Sequence, residues 1–447
     1  MAKARYKHIV DRFKAAIDSG QLAPGVRLPT HRQLAIDHGL ALATASRVYA
    51  ELEAMGLVSG ETGRGTFVRE TALPHGLGVE QQDLPEGGID LNFNYPTLPG
   101  QADLLRTALR QLANAGDLDA LLRYQPHAGR PHERAAVARY LNGHGVPAGP
   151  GQVLMTNGAQ HGLAISLMGR LRAGDVVAAD ALTYSGFKVL AGALGIELLP
   201  LPATVQGPDL DALEQFCRTR PVRAVYCMPT LHNPLGWVMP LPQRQRLVAL
   251  AREHGLTLIE DAAYAYLAEA PPPPLAQLAP ERTLYVCGLS KSVATGLRIG
   301  FVAAPLAWVP CLERMIRATT WNAPGVLTAM ATAWLDDGTV DRLEAHKRKD
   351  ARARQAIARQ ALRGLAYCGH PGSYFLWLPL AEDARADQVA MALMRQGISV
   401  ATAEPFAIGA HVPHALRLAL GSVPAPVLRD ALGRVREVVV GAQAGIL

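Results

Sequence analysis

The sequence has few cysteines, few charged side chains and no long hydrophobic run. Its five cysteines are odd in number and widely spaced, and no two of them form a C-x-x-C pair. This argues for reduced thiols and against a disulfide framework or a structural zinc site, so we expect no bound metal. The most apolar window, Val189 to Leu201, is too short and, with Glu197, too polar to cross a bilayer. Charge interrupts the first twenty residues, which argues against a signal peptide, so we expect a cytoplasmic protein.

The 447 residues are rich instead in turns and apolar segments. There are 42 glycines and 32 prolines, a raised share, while 49% hydrophobic residues exclude a disordered chain. The formal net charge is +6, and residues 1–70, with ten basic and seven acidic side chains, carry half of this excess. The composition fits an α/β enzyme-like body, and the charge weakly indicates an anionic partner for the N-terminal part.

The first seventy residues have the pattern of three short helices followed by a hairpin. Ile9, Phe13 and Ile17 recur every four residues on one face of an amphipathic helix. Thr30 and Gln33 form a capping box at the start of a second helix. The predicted helices cover about residues 5–19, 31–38 and 43–55, and the predicted hairpin strands include 57–58 and 66–68. This order predicts a winged helix-turn-helix, whose third helix has the size to enter a major groove.

This segment resembles the GntR family of winged-helix regulators. The resemblance rests on Leu28-Pro29, Arg32-Gln33-Leu34-Ala35, Tyr49, Leu52, Gly56-Leu57 and Gly65-Thr66-Phe67-Val68, all in register. It implies that double-stranded DNA contacts Arg32, Thr44, Arg47 and Arg64, with Arg64 at the tip of the wing. Guanidinium groups and a small hydroxyl suit phosphates and base edges. Ala41 and Leu42 depart from the family, which usually opens its recognition helix with Ser-Arg, and this predicts weaker or differently specified DNA binding.

The chain is predicted to have three unequal parts. Residues 71–88 contain glycine, proline and polar residues without an apolar period, which predicts a linker between residues 1–70 and 89–447. From about residue 150, short apolar runs alternate with helical patterns. The predicted strands are 153–156, 176–179, 224–228, 256–260, 283–287 and 298–303. Strands separated by helices predict a mostly parallel sheet with functional loops at the carboxyl ends of its strands.

Unusual residues lie in those loops. Lys291, close in sequence to Arg298, has the position and the neighbour to form a Schiff base beside an anion site. Asp261 ends a strand, where a carboxylate can pair with a pyridinium nitrogen. Asn233 follows another strand, and its amide is available to a ring hydroxyl. Gly158 leads into a helix whose backbone N–H groups can bind a phosphate.

Together these motifs resemble the class I and II aminotransferases, a superfamily of fold type I enzymes that depend on pyridoxal 5'-phosphate. The resemblance covers about residues 89–447, with a smaller α/β part at about 336–447. It implies that Lys291 forms the internal aldimine and that Arg417 clamps an amino-acid carboxylate. The implied cofactor-binding residues are Tyr124, Gly158, Ala159, Gln160, Tyr184, Asn233, Asp261, Tyr264, Ser290, Lys291 and Arg298. Tyr124 would reach the cofactor of a second subunit, which implies a homodimer. Gly288 stands where the family often has a phosphate-binding serine, so we expect looser cofactor binding.

A winged helix followed by an aminotransferase-like body resembles the MocR subgroup of GntR regulators. We therefore expect a pyridoxal-phosphate-dependent transcriptional regulator that senses an amino acid, an amine or the cofactor itself through aldimine exchange at Lys291. An active aminotransferase with an appended DNA-binding head is the alternative, and a regulator whose body only dimerises is a third possibility. The sequence does not identify the effector, the operator or the direction of regulation.

Overall fold

The computed structural model describes residues 2–18, 21–23, 25–54, 57–61, 65–68, 88–115, 118–204, 206–381, 384–409 and 412–443. Arg64 and residues 71–87 of the predicted linker lie outside these ranges. None of the described helices is long and apolar enough to cross a membrane.

The N-terminal unit, called the head below, consists of three helices and one antiparallel hairpin. The helices are Ala2–Asp18, His31–His38 and Leu42–Ala54, and the strands are Val58–Glu61 and Gly65–Val68. The predicted cap is present, since Thr30 Oγ1 accepts a hydrogen bond of 3.2 Å from the Gln33 N–H. Val48 and Leu52 are fully buried in the core of this unit. The predicted winged helix-turn-helix is confirmed.

The larger unit, called the body, is built on a seven-stranded sheet. In spatial order its strands are Val153–Thr156, Gly300–Ala303, Thr283–Gly288, Thr257–Asp261, Val222–Cys227, Val176–Asp180 and Glu197–Leu201. The sheet is mostly parallel, as predicted. Six of these seven strands run in the same direction, and Gly300–Ala303 runs in the opposite direction. The strands are almost entirely buried, as expected for a sheet that is covered on both faces.

Helices cover this sheet on both sides. They are Gln101–Ala113, Pro131–Gly143, Ala159–Arg170, Ser185–Ala193, Leu210–Thr219, Leu241–Glu253, Leu275–Leu278, Leu289–Ser292, Val309–Thr319 and Gly325–Asp336. Short 3-10 turns lie at Leu118–Leu122, Pro150–Gln152, Ala265–Leu267, Thr295–Leu297 and Leu306–Trp308, and a two-stranded ribbon pairs Ala203–Thr204 with Gly207–Pro208.

Two details differ from the sequence-based strands. The strand predicted at 298–303 begins only at Gly300, because Arg298 follows a 3-10 turn and has a φ of 50°, in the left-handed region. The edge strand Glu197–Leu201 was missed, since its residues belong to one apolar window with the preceding helix, and periodicity does not separate the two.

A second, four-stranded sheet combines segments that are far apart in sequence. Its strands are Phe375–Pro379, Ala415–Ala419, Ile398–Thr402 and Ile89–Leu91 in spatial order. The accompanying helices are Thr339–Ala361, Ala386–Arg395 and Ala425–Gln443. Strand Ile89–Leu91 pairs parallel to Ile398–Thr402, so the smaller sheet uses both ends of the body. The segment that leaves this strand passes to the edge of the large sheet.

Candidate cofactor site and DNA-binding surface

Lys291 lies at the carboxyl edge of the large sheet, directly after strand Thr283–Gly288. It belongs to a single helical turn, Leu289–Ser292; we call residues 289–293 the lysine turn. The Nζ of Lys291 donates a hydrogen bond of 3.0 Å to the carbonyl oxygen of Asn94, which comes from the segment after Ile89–Leu91. The same Nζ lies 5.9 Å from the ring centroid of Tyr264. The Lys291 amine therefore lies at the sheet edge between the segment after Ile89–Leu91, which was not predicted, and the predicted residue Tyr264.

Asp261 ends the neighbouring strand and is buried. Its Oδ2 accepts a hydrogen bond of 2.8 Å from the Tyr226 hydroxyl, and its Oδ1 accepts one of 3.0 Å from the Ala263 N–H. Burial raises the pKa of Asp261, while these two hydrogen bonds favour its charged form. A buried carboxylate held in this way is suited to a cationic N–H partner, as a protonated pyridine ring would provide.

Three further predicted site residues follow neighbouring strands of the large sheet. Asn233 is buried, and its Oδ1 makes no hydrogen bond among the described residues. Tyr264 is buried and packs edge-to-face against Phe375, with ring centroids 5.0 Å apart. The pKa of Tyr184 is raised to about 12, mainly by burial and in addition by the nearby Asp261 and Tyr264, while Arg298 opposes this effect. These influences place Tyr184 electrostatically close to the other three predicted residues.

The predicted phosphate site is a tight glycine-lined cradle. Gly158, with a φ of 81°, precedes helix Ala159–Arg170, so the free N–H groups of that helix open beside it. A Cβ on Gly158 would lie 3.0 Å from Nη2 of Arg298, and a Cβ on Gly300 would collide with the Gly158 backbone. Arg298 itself is exposed. A helix N-terminus and a guanidinium therefore face the same point, which is the geometry of an anion site.

Two side chains beside this cradle have unsatisfied oxygens. The Ser290 Oγ is buried without a hydrogen-bond partner among the described residues. Gln160 donates to the Gly186 carbonyl at 2.8 Å, but its Oε1 is likewise without a partner. Buried polar atoms normally find partners, so unsatisfied atoms beside an anion site fit a bound polar group.

Gly288 has a structural reason to be glycine. A Cβ at this position would lie 2.8 Å from the Ile299 carbonyl oxygen, 3.1 Å from the Gly300 Cα and 3.4 Å from the Ala159 nitrogen. All three are backbone atoms, which cannot move as a flexible side chain can. A serine side chain does not fit here without a shift of the backbone. The close backbone packing of this cradle therefore requires glycine at position 288.

Arg417 lies on strand Ala415–Ala419 of the smaller sheet and is buried. Its Nη2 donates to the Asn92 carbonyl, its Nε has no partner among the described residues, and its guanidinium carbon lies 5.2 Å from the Phe406 ring centroid. Burial lowers the pKa of Arg417, and the nearby Tyr264 and Asp90 oppose this effect. A buried guanidinium near Tyr264 with an unsatisfied N–H has the chemistry to bind a carboxylate.

Tyr124 is not brought to these residues within one chain. Its side chain is 85% exposed and its ring packs against Trp321, with centroids 5.4 Å apart. The predicted role of Tyr124 requires a second subunit, and that role stays a prediction.

Sequence reasoning missed three groups that shape the site. These are the Asn94 carbonyl, the Tyr226 hydroxyl and Lys347, a fully buried lysine whose Nζ donates to the carbonyl oxygens of Lys291 and Val293. Tyr226 could have been found from strand register, because it pairs with Ile259, two residues before Asp261. Asn94 and Lys347 come from distant parts of the chain and leave no local signal.

The head presents the predicted DNA contacts on its second and third helices. Arg32 and Arg47 are exposed, and Thr44 is half-buried in the first turn of helix Leu42–Ala54. The Arg47 guanidinium lies over the Tyr6 ring at 4.6 Å. The fourth predicted contact, Arg64, lies outside the described residues.

These features define a class of protein: a fold type I body of the pyridoxal-phosphate aminotransferase kind, joined to an N-terminal winged helix-turn-helix. Residues 86–435 match the family Aminotransferase class I and II, and residues 5–68 match Bacterial regulatory proteins, gntR family. The chain belongs to the class I and II aminotransferase family, and its head is of the gntR type. The architecture inferred for the MocR subgroup and the cofactor, pyridoxal phosphate, are thereby confirmed.

The similar proteins include both transcriptional regulators and aminotransferases. The uncharacterized HTH-type transcriptional regulator YdeF of Bacillus subtilis is 27% identical over 431 residues, which are 96% of this chain and 92% of the relative. The 2-aminoadipate transaminase of Thermus thermophilus is 28% identical over 77% of this chain and 88% of its own length. The crystal structure of LysN, an α-aminoadipate aminotransferase from the same organism complexed with N-(5'-phosphopyridoxyl)-L-leucine, has a TM-score of 0.73 and 25% identity, covering 80% of this chain and 94% of LysN.

Proposed function

We propose that this protein is a DNA-binding transcriptional regulator whose body binds pyridoxal phosphate and uses Lys291 to sense an amine, an amino acid or the cofactor. The observation that carries the proposal is the set of side chains around Lys291: its Nζ lies near Tyr264, and Tyr264 and Asp261 both act on the pKa of Tyr184. This site stands in the same chain as a gntR-type head. Such regulators work in the cytoplasm, where DNA and the cofactor are both present.

The residues of the site fit the cofactor. Asp261 would hold the ring nitrogen, and the unsatisfied Asn233 would accept the ring hydroxyl together with Tyr264. The cradle of Gly158, Ala159, Gln160, Ser290 and Arg298 would hold the phosphate, and Tyr184 would cover the ring. When bound, pyridoxal phosphate supplies an aldehyde that amines hold covalently and a ring that withdraws electrons. Lys291 supplies the amine of this chain, and the Asn94 carbonyl fixes its direction by a hydrogen bond of 3.0 Å.

Arg417 would select ligands that carry a carboxylate. Its buried guanidinium keeps an unsatisfied Nε near Tyr264, so an amino acid would satisfy this donor and a simple amine would not. A buried charge-assisted hydrogen bond contributes about 1.5–3 kcal/mol, which is enough to separate the two ligand classes by roughly tenfold or more.

Exposed apolar side chains support a homodimer. Leu105 and Leu109 on helix Gln101–Ala113 are exposed, and so are Leu118, Leu122, Tyr124, Trp321 and Val326. The side chains of Ala102, Leu105, Leu109 and Ala113 border an open groove along this helix. A second copy of this chain on that surface would bury them and would carry Tyr124 toward the partner's cofactor. Grouped exposed apolar residues of this kind mark interfaces.

The proposal is tested with the full-length protein and a DNA duplex that the wild type selects from random sequence. Fluorescence anisotropy gives the DNA affinity of the wild type and of Lys291→Ala, each with and without pyridoxal phosphate and a panel of amino acids and amines. We expect the wild type to respond to cofactor or ligand and Lys291→Ala to lose this response. Lys349→Ala is the matched control, because Lys349 is exposed. A response that survives in Lys291→Ala contradicts the mechanism.

Aminotransferase activity is the second candidate, because the chain also brings together the residues of a half-reaction: Lys291 to move a proton, Asp261 to hold the ring nitrogen and Arg417 to hold the substrate. Mixing the holoprotein with an amino acid and a second keto acid separates the two candidates. Sustained keto acid formation favours an enzyme, whereas a spectral change that stalls after one equivalent favours a sensor. A purified protein that acquires no lysine-linked absorbance with added cofactor would favour a body that only dimerises.

A further inference from the structure

The lysine turn depends on hydrogen bonds from outside itself. It is one helical turn, held internally by the Val293 N–H and the Ala294 N–H, which donate to the Leu289 carbonyl at 2.8 and 3.1 Å. A single turn is unstable in isolation, because nucleating a helix fixes several residues for one hydrogen bond. The conformation around Lys291 must therefore be imposed by its surroundings.

Two polar side chains supply part of this support. The Tyr266 hydroxyl donates to the Lys291 carbonyl oxygen at 2.7 Å, and the Gln101 Nε2 donates to the Val293 carbonyl oxygen at 2.7 Å. Each side chain reaches one of the two carbonyls. Neither side chain binds both the Lys291 and the Val293 carbonyl.

Lys347 is the donor that joins the two carbonyls. It lies on helix Thr339–Ala361, is fully buried, and its Nζ donates to the Lys291 carbonyl at 3.0 Å and to the Val293 carbonyl at 2.7 Å. The helix is anchored at the same residue, because the Tyr374 hydroxyl donates to the Lys347 carbonyl at 3.0 Å. The Lys347 amine is thus a fixed bridge between a long helix and the second half of the lysine turn.

A lysine is a costly way to make this bridge. The pKa of Lys347 is lowered to about 7, mainly by burial and in addition by the Lys291 charge, while Asp350 and Glu344 oppose this effect. An ordinary core residue would avoid this desolvation cost. The purely structural interpretation is that the amine only ties a helix to a loop, and that interpretation predicts a loss of stability without a specific effect at Lys291.

We propose that Lys347 is a positioning residue for Lys291, which holds the carbonyls of Lys291 and Val293 in the second half of the lysine turn so that the Lys291 amine stands where it can bond the cofactor aldehyde. This inference rests on the proposed function, because it assigns to Lys291 the covalent link. In that link the Lys291 nitrogen bonds the aldehyde carbon and the aldehyde oxygen leaves as water. Asp261 and the cradle residues Gly158, Ala159 and Gln160 lie outside the lysine turn, and only Ser290 of the cradle belongs to it.

The test separates total binding from covalent linkage. Full-length wild type, Lys347→Met and Lys347→Gln are each incubated with pyridoxal phosphate, and the total bound cofactor is measured after dialysis. Borohydride reduction followed by peptide mass mapping then gives the fraction linked to Lys291. We expect Lys347→Met to bind cofactor but, at equal early incubation times, to carry a Lys291-linked fraction about tenfold to a hundredfold lower, the range for losing the two hydrogen bonds of the Lys347 amine.

Three other variants show whether the effect is specific to the hydrogen bonds of the Lys347 amine. Lys347→Gln keeps a donor without the charge and should fall between wild type and Lys347→Met, and it replaces Lys347→Met if that protein does not fold. Lys349→Met makes the same chemical change at an exposed position of the same helix, and should match the wild type. Tyr266→Phe removes the other donor to the Lys291 carbonyl, and its effect should be non-additive with that of Lys347→Gln.

Two results would overturn the inference in distinguishable ways. If the wild type links Lys291 and Lys347→Met links it equally fast, or if the two variants lose bound and linked cofactor in equal proportion, Lys347 is only structural. If the wild type binds cofactor without any link at Lys291, the proposed function fails first, and the role of Lys347 fails with it.

Discussion

Replacing Gly288 by serine restores the side chain that related enzymes often have at this position, and we expect it to harm this protein. The added Cβ would stand 2.8 Å from the Ile299 carbonyl oxygen, 3.1 Å from the Gly300 Cα and 3.4 Å from the Ala159 nitrogen. Backbone must move to relieve these contacts. Overpacking of this kind costs about 1–3 kcal/mol of stability, and the Gly158–Ala159 backbone that would move is the wall of the predicted phosphate site.

Two measurements on Gly288→Ser check this reasoning. Chemical denaturation of the cofactor-free protein should show the loss of stability, and equilibrium titration with pyridoxal phosphate should show weaker binding. Gly433→Ser is the control, because a Cβ at Gly433 has open space around it. If Gly288→Ser binds the cofactor more tightly at unchanged stability, then the cradle can accept the serine and the argument from close contacts is wrong.

Three further predictions concern charge. Asp261→Asn keeps one oxygen for the Ala263 N–H and turns its amide toward the Tyr226 hydroxyl, which can accept as well as donate, but it removes the buried carboxylate. Cofactor affinity in titrations should therefore fall roughly tenfold to a hundredfold, and a variant that binds the cofactor as tightly as the wild type would contradict this. Arg417→Met should abolish the preference for an amino acid over its decarboxylated amine in absorbance titrations, and an unchanged preference would exclude the clamp. The lowered pKa of Lys347, about 7 against 10.5, means that the unfolded chain binds more protons between these values. Stability should therefore rise with pH across this window in the wild type and not in Lys347→Met, as urea denaturation at several pH values can show.

Much of the site could be predicted because parallel strands bring their carboxyl ends to one edge. Lys291, Asp261 and Asn233 each follow a different strand, so an assignment of strands was enough to expect them together. The fold of the head could also be predicted from the sequence, because helix periodicity and the Thr30 cap are local signals. In these places, short stretches of sequence determine which side chains meet.

The residues that hold Lys291 from distant parts of the chain could not be predicted in this way. In helix Thr339–Ala361, Leu343, Lys347 and Ala351 follow one another at spacings of four, but the sequence of a long, highly charged helix does not show which of its lysines is buried. The Asn94 carbonyl reaches Lys291 across 197 residues of chain. The left-handed conformation of Arg298 and the close packing of Gly300 against Gly158 are likewise features of the assembled backbone that no local signal predicts.

The same helix offers a route between the cofactor site and the head. Along its length, Leu343 and Ala351 pack into the core clusters beneath and beside the large sheet, whereas Ala358 packs into the core of the smaller sheet. Helix Ala386–Arg395 of that smaller sheet starts directly after Arg385, whose guanidinium lies over the ring of Phe67 in the wing at 5.7 Å. Contiguity alone does not establish coupling, because a ligand shifts an equilibrium only if it binds two states with different affinity. The lysine turn is where such a difference would arise. Under the proposed function, a covalent bond at Lys291 would change the charge that lowers the pKa of Lys347. Linkage and release would then change the stability of the bridge to this helix, and with it the packing that reaches the wing.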